Sequence, residues 1–187
     1  MPAKSSFYSP PLSAIDLNSP LKASSLETPL GNMLLIADEK ALYLLEFSNW
    51  KGLDYTVEKL CTKTGRELIS GTIPIAKLVK TELDAYFEGK IHTFQTPLRP
   101  LGTPFQVNAW EALLKVPYGE TKSYRDQAAA VGNPLAVRAV ARANATNPIA
   151  IIIPCHRIIN HNGQLGGYGG GLDRKQWLLS HEREHRL

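Results

Sequence analysis

Residues 123–157, SYRDQAAAVGNPLAVRAVARANATNPIAIIIPCHR, carry most of what the chain says about its architecture. Ser123 followed three residues later by Asp126 is a capping-box pattern, so a short helix is expected from Ser123 to Gly132. Asn133-Pro134 then turns the chain into a second helix over roughly 135–145. Two short helices across a tight turn predict a helix-turn-helix. In the second helix Arg138 and Arg142 are four apart and share a face, with Leu135 and Ala139 beside them. Val137, Val140 and Ala141 are expected to turn inward. Alanine's helix propensity and two solvated arginines would account for such a face. The same face suits a helix that must approach something closely, such as the DNA minor groove, about 6 Å wide. Arginine can take the place of an extruded base there.

The next run, Ile149-Ala150-Ile151-Ile152-Ile153, is apolar and β-branched and is expected as a buried strand or extended segment. It leads into Pro154-Cys155-His156-Arg157. A cysteine beside His and Arg is placed for reactivity, because cationic or hydrogen-bonding neighbours lower a thiol's pKa and the thiolate is the nucleophile. The alternative is a buried structural cysteine, the commonest fate of a free thiol. Proline on one side and two polar residues on the other weigh against it.

Upstream, Thr103 can cap a helix that starts at Pro104 and carries Phe105, Val107, Trp110, Leu113 and Leu114, with Pro117-Tyr118-Gly119 breaking it. Residues 99–104, RPLGTP, resemble a linker. The expected organisation is therefore an α/β (α+β) chain: a small N-terminal domain, 1–98, and a helical C-terminal domain, 99–187. The N-terminal domain is expected to hold an antiparallel sheet and a helix. Its helix begins at Pro74, with Ile75, Leu78, Val79, Leu83, Tyr86 and Phe87 on one face and Gly89 ending it. Its hairpin runs through Met33–Ala37 and Leu42–Phe47, around Asp38-Glu39-Lys40. Residues 1–26, rich in Ser and Pro, are expected as a loose arm.

A net charge of +4 and a pI near 9.1 are compatible with a polyanionic partner without requiring one. Cys61 and Cys155 make neither a disulfide framework nor a zinc spacing, which fits a reducing, cytoplasmic compartment. The N-terminus has no apolar signal core, and no apolar run is long enough to span a membrane. His181-Glu182-Arg183-Glu184-His185 matches the zinc-protease pattern H-E-x-x-H, but no third ligand accompanies it. Gly166–Gly171 lacks the Lys and Ser/Thr of a phosphate loop. Trp177 and its neighbours are expected in the core.

Pro154-Cys155-His156-Arg157, preceded by Asn147-Pro148, resembles the active-site signature of the O6-alkylguanine-DNA alkyltransferases. The resemblance extends through Tyr118-Gly119, Ser123-Tyr124, Gly132-Asn133-Pro134, Arg138-Ala139-Val140, Gly166-Gly167-Tyr168 and Trp177-Leu178-Leu179 to His181-Glu182. In the N-terminal half it is weak, mainly Thr28-Pro29-Leu30-Gly31. The resemblance implies irreversible, single-turnover transfer of an alkyl group from O6 of guanine (and O4 of thymine as a weaker substrate) to Cys155. His156 would be the base, acting through a water. Glu182 would orient it, and Asn147 would hold the active-site turn. Tyr124 would donate to guanine N3, and Arg138 would replace the flipped nucleotide. Ala139 and Arg142 would lie against DNA, Arg142 in place of a small residue. The carbonyls of Cys155 and Ile158 would read the guanine amino group, with Tyr168 and the amide of Gly169 beside O6. The partner implied is double-stranded DNA carrying O6-alkylguanine, met by a monomer in the cytoplasm (or a eukaryotic nucleus), with no cofactor, no metal and no membrane.

Gly169 departs from the serine often found there, and the run Gly169-Gly170-Gly171 points to a roomier pocket that tolerates groups larger than methyl. Two other readings compete. A lesion-sensing relative would lack the acceptor thiol that Cys155 supplies. A cysteine hydrolase would turn over and would leave the arginine-bearing helix unexplained.

Overall fold

The structure is a computed structural model describing residues 19–186. Strands β1 (Leu21–Leu26), β2 (Met33–Ala37), β3 (Leu42–Phe47) and β4 (Leu68–Ser70) form a sheet in the order β3-β2-β1-β4. The expected hairpin is β2–β3, and Asp38 closes its turn by accepting from the amides of Lys40 and Ala41. β1 pairs antiparallel with β2, whereas β4 joins β1 in parallel, so the sheet is not wholly antiparallel. Residues 1–18 of the expected arm lie outside the described residues. Residues 21–26 are not a loose arm: they are β1, hydrogen-bonded on both edges, with Leu21 fully buried.

Helix α1 (Leu53–Thr64) follows β3, and α2 (Pro74–Phe87) has Pro74 in its first turn as expected. Ile75, Val79, Leu83 and Tyr86 of α2 are buried, while Leu78 is exposed. The remaining elements are α3 (Pro104–Leu114), β5 (Lys122–Ser123), α4 (Tyr124–Ala130), α5 (Val137–Ala145), β6 (Ile158–Ile159) and α6 (Leu172–Glu184). Both α3 and α4 begin with complete capping boxes, Thr103/Gln106 and Ser123/Asp126. Two crossed amide hydrogen bonds lock α4 to α5: Gln127 Nε2 donates to Asn144 Oδ1 at 2.9 Å, and Asn144 Nδ2 to Gln127 Oε1 at 2.7 Å. Trp110 Nε1 ties α3 to the carbonyl of Ala143 at 2.8 Å. The inward residues of α5 are therefore Val140, Ala143 and Asn144; Val137 and Ala141 do not face the core as expected. Trp177 is half out of the core, stacked on His181 at 4.8 Å.

The join between the sheet and the helices sets the site. β3 is an edge strand, and an uncovered edge is a liability. Here it is covered by two segments. The amide of Leu42 donates to Pro97, and that of Arg99 to Leu42. Further along, Leu45 donates to Pro148 and accepts from Ala150, at 2.9 and 2.7 Å. The stretch leading to Cys155 is thus docked on the sheet's edge. Among the described residues no helix is long and apolar enough to cross a membrane.

Candidate active site

The apolar run before the cysteine is not a strand. Past the single bridge from Leu45 to Ile149 it folds into consecutive tight turns, with Ile153 N–H donating to Ile149 at 3.1 Å. Ile151 stands at φ 70°, a left-handed conformation that costs a β-branched residue about 1–2 kcal/mol. Its side chain is fully buried, which is worth a similar or larger amount and offsets the strain. Asn147 fastens this turn: Oδ1 accepts from Ile149 N–H at 3.1 Å, and Nδ2 donates to the Ile153 carbonyl at 2.8 Å and to Cys155 Sγ at 3.3 Å.

Cys155, His156 and Arg157 form a 3₁₀ turn at the base of a cleft of about 350 Å³ lined by Trp50, Tyr124, Ala141, Asn144, Ala145, Cys155, Gly167, Tyr168 and Gly169. Cys155 is 9% exposed. Burial pushes its thiol up to about 11, against the Asn147 hydrogen bond. The expected lowering by cationic neighbours is therefore reversed, and the resting group is a thiol that needs a base. His156 is fully buried, and burial lowers its pKa despite the adjacent carboxylate, so the ring rests neutral. Its Nε2 faces Glu182 Oε1 at 2.8 Å, while Nδ1 is buried with no partner among the described residues.

Glu182 is a hub. Besides His156, it accepts from Tyr86 Oη (2.8 Å), Gly119 N–H (3.0 Å), and Arg157 Nε and Nη2 (2.9 and 3.0 Å). Burial alone would raise its carboxyl. The His156 and Arg157 hydrogen bonds, with the Arg157 charge, overcome that and hold it well below the usual carboxylate range. Tyr86, Gly119 and Arg157 were not identified as site residues from sequence. The helix that resembled a zinc motif spends its groups elsewhere: Glu182 as described, His181 Nε2 against the Tyr86 carbonyl, and His185 Nδ1 against the His181 carbonyl. Among the described residues no three metal-binding side chains gather.

Lys175, also unanticipated, is fully buried and donates to the carbonyls of Ile158 (2.6 Å) and Gly167 (3.2 Å). It ties β6 to the glycine-rich loop, and burial lowers it to about 8. Ile158 O thus already holds one donor, leaving its second lone pair for anything else. Tyr124 and Tyr168 both stay neutral phenols, raised by burial and next by the nearby Cys155. The Tyr168 hydroxyl is buried without a partner among the described residues.

Arg138 and Arg142 lie outside this cleft. They line an adjacent groove with Phe105, Gln106, Ala139, Ala143 and Thr146. Both are exposed, and neither guanidinium has a partner among the described residues. The sequence-derived residues thus form two groups, a buried centre around Cys155 and a basic helix face beside it.

Glu46 on β3 is a further buried carboxyl, 4% exposed, with the Phe47 amide as its hydrogen-bond donor. Burial raises it to about 7 from 4.5, against the Phe47 amide and Arg174. A carboxyl whose folded pKa is raised binds its proton more tightly in the native state, so it lowers stability as pH climbs from 4.5 to about 7. At about 1.4 kcal/mol per pH unit, the loss above neutrality is about 3 kcal/mol. Glu46→Gln is therefore expected to stabilise the protein by up to that amount at pH 8 and to change little at pH 4. Denaturant melts at the two pH values measure it, and equal shifts at both would contradict it.

Two family models match the chain: the DNA-binding domain of 6-O-methylguanine DNA methyltransferase over residues 104–184, and its ribonuclease-like domain over residues 21–100. A methylated-DNA–protein-cysteine methyltransferase of Methanosarcina barkeri is 42% identical over 163 residues, covering 86% of this chain and 96% of the relative. That of Mycobacterium leprae is 44% identical over 163 residues, covering 87% and 93%. The crystal structure of Mycobacterium tuberculosis OGT in complex with DNA superimposes with a TM-score of 0.75 at 37% identity, covering 88% of this chain and 94% of that one.

Proposed function

Because the chain belongs to the 6-O-methylguanine DNA methyltransferase family, and is a DNA-repair protein that moves an alkyl group from guanine in DNA to a cysteine of its own, we propose that Cys155 is the acceptor. The observation that carries this is the cleft itself. Its lining brings Cys155 and Tyr124 together near the C-terminal end of α5, and His156, next to Cys155 in the chain, is paired with Glu182.

The reaction is an in-line displacement. Cys155 Sγ attacks the alkyl carbon, a C–S bond forms, and the bond from carbon to guanine O6 breaks. The thiol proton passes through a water to His156 Nδ1, the ring atom without a partner among the described residues. Glu182 holds Nε2 and stabilises the imidazolium that results. Guanine leaves poorly as an anion, so Tyr124 donates its hydroxyl proton toward N3 as O6 departs. The carbonyls of Cys155 and Ile158 accept from the guanine amino group, and the Gly169 amide lies by O6 next to Tyr168. A thioether is not readily cleaved, so each molecule acts once. No cofactor enters these steps.

Arg138 takes the place of the base that leaves the stack, with Ala139 allowing close approach and Arg142 contacting phosphate. Arg138→Ala is expected to slow transfer from duplex DNA by about tenfold to a hundredfold, since extrusion costs a few kcal/mol. Transfer from single-stranded oligonucleotides should fall less. Equal losses on both substrates would remove Arg138 from this role. Two free thiols, Cys61 and Cys155, suit a reducing cytoplasmic setting, and the N-terminal domain (1–98, described from residue 19) supports the reaction domain (99–187, described to residue 186).

The test is intact-protein mass after incubation with an oligonucleotide carrying one O6-methylguanine. One added methyl, stopping at one equivalent and mapping to Cys155, is the expected result. Binding without mass gain would indicate lesion sensing, and turnover beyond one equivalent would indicate a hydrolase.

A further inference from the structure

The wall of the Cys155 cleft opposite the helices is an indole from the other domain. Trp50 lies just past β3, in a turn where its amide donates to Phe47 O at 3.0 Å and its carbonyl accepts from Leu53 N–H at 3.1 Å. It lines the cleft with Tyr124, Cys155, Tyr168 and Gly169. Its ring also lines a second cleft of about 150 Å³, with Tyr43, Tyr55 and Trp110. The indole therefore partitions two spaces.

Two glycines make room for it. A Cβ on Gly169 would stand 3.2 Å from Trp50 Nε1 and 3.7 Å from Cδ1 and Cε2. A Cβ on Gly52 would stand 2.5 Å from Cζ2, closer than any real contact. At Gly169 the space a side chain would take is thus occupied by the indole, whereas nothing lies within 4 Å of a Cβ on Gly171. Gly170 is filled likewise, since a Cβ there would meet Phe47 and Tyr168 at 2.8 Å.

We propose that Trp50 is the size filter of the alkyl pocket: its indole, seated against Gly169, limits which alkyl group can be brought to Cys155. The proposal rests on Cys155 being the acceptor. A methyl group fits the cleft with the ring in place, whereas an aryl-methyl group must displace it. Removing the ring joins the two clefts and admits the larger group. Such packing limits discriminate by about tenfold or more.

The experiment compares second-order transfer rates from oligonucleotides carrying O6-methylguanine or O6-benzylguanine, for the native protein, Trp50→Ala and Trp50→Phe. The benzyl-to-methyl ratio is expected to rise about tenfold in Trp50→Ala and by less in Trp50→Phe. Gly169→Ala is expected to lower the ratio in the native background and to have no such effect on top of Trp50→Ala, because the side chain it would press against is gone. A ratio in Trp50→Ala within about twofold of native would overturn the proposal, as would an equal Gly169→Ala effect in both backgrounds. If the native protein transfers neither group, the reading of Cys155 falls first and takes this one with it.

Discussion

Replacing Cys155 with serine is expected to abolish alkyl transfer while leaving the fold intact. A serine hydroxyl at this depth has neither the polarisability of sulfur nor an accessible ionised form, and a loss of at least about a thousandfold is expected. Little else should change. The thiol accepts one long hydrogen bond, from Asn147 Nδ2 at 3.3 Å, and a hydroxyl can accept the same one. Stability should stay within about 1 kcal/mol of native, and O6-methylguanine DNA should still be bound. Intact mass and thermal melting decide the matter together. A methyl adduct on the serine variant would place the acceptor elsewhere, with Cys61 the remaining thiol.

Glu182→Gln is expected to damage both stability and rate. The carboxylate is fully buried and serves Tyr86, Gly119, His156 and Arg157 at once. An amide cannot neutralise Arg157, and its own N–H groups face donors. Breaking a buried pair from one side costs about 3–5 kcal/mol, which for a chain of this size lowers Tm by roughly 6–20 °C. The transfer rate should fall with it, because His156 loses the group that steadies its charged form. The pH dependence separates this from general damage. A carboxyl held low in the folded state contributes stability that is present above pH 4.5 and is lost as pH falls. The native protein should therefore weaken steadily in acid, and the variant should show a shallower slope. A Tm within about 2 °C of native would contradict the hub.

What was legible in the sequence was local. The cap at Thr103, the capping box at Ser123, Pro74 at the start of α2 and the hairpin around Asp38 each depend on residues within a few positions. The signature around Cys155 was equally compact. The errors arose where tertiary context overrode propensity. The run Ile149–Ile153 has every preference of a strand, yet docking on the β3 edge and the Asn147 bonds bend it into turns. Helix α1 gives little signal in the sequence because Leu60 is its one buried residue. The inward face of α5 differs from its hydropathy pattern because Asn144 goes inside, matched by Gln127. Tyr86 meets Glu182 across 96 positions, and Trp50 reaches Gly169 from the other half of the chain. Lys175 gave no signal, since a lysine in a polar helix reads as solvated until its carbonyl partners are in view.

The tight turn at Ile151 has a consequence for motion. Ile151 is kept at positive φ by burial, in a turn pinned by the Ala150, Ile152 and Ile153 amides and by Asn147, so relaxing to an ordinary conformation would draw its side chain out of the core. The thiol that follows is anchored to the same frame through Asn147. That frame holds the Cys155 thiol at its place in the cleft. On the proposed reading of Cys155 as acceptor, the damaged base is the partner that has to travel, and a lesion in a looser base pair is expected to react faster.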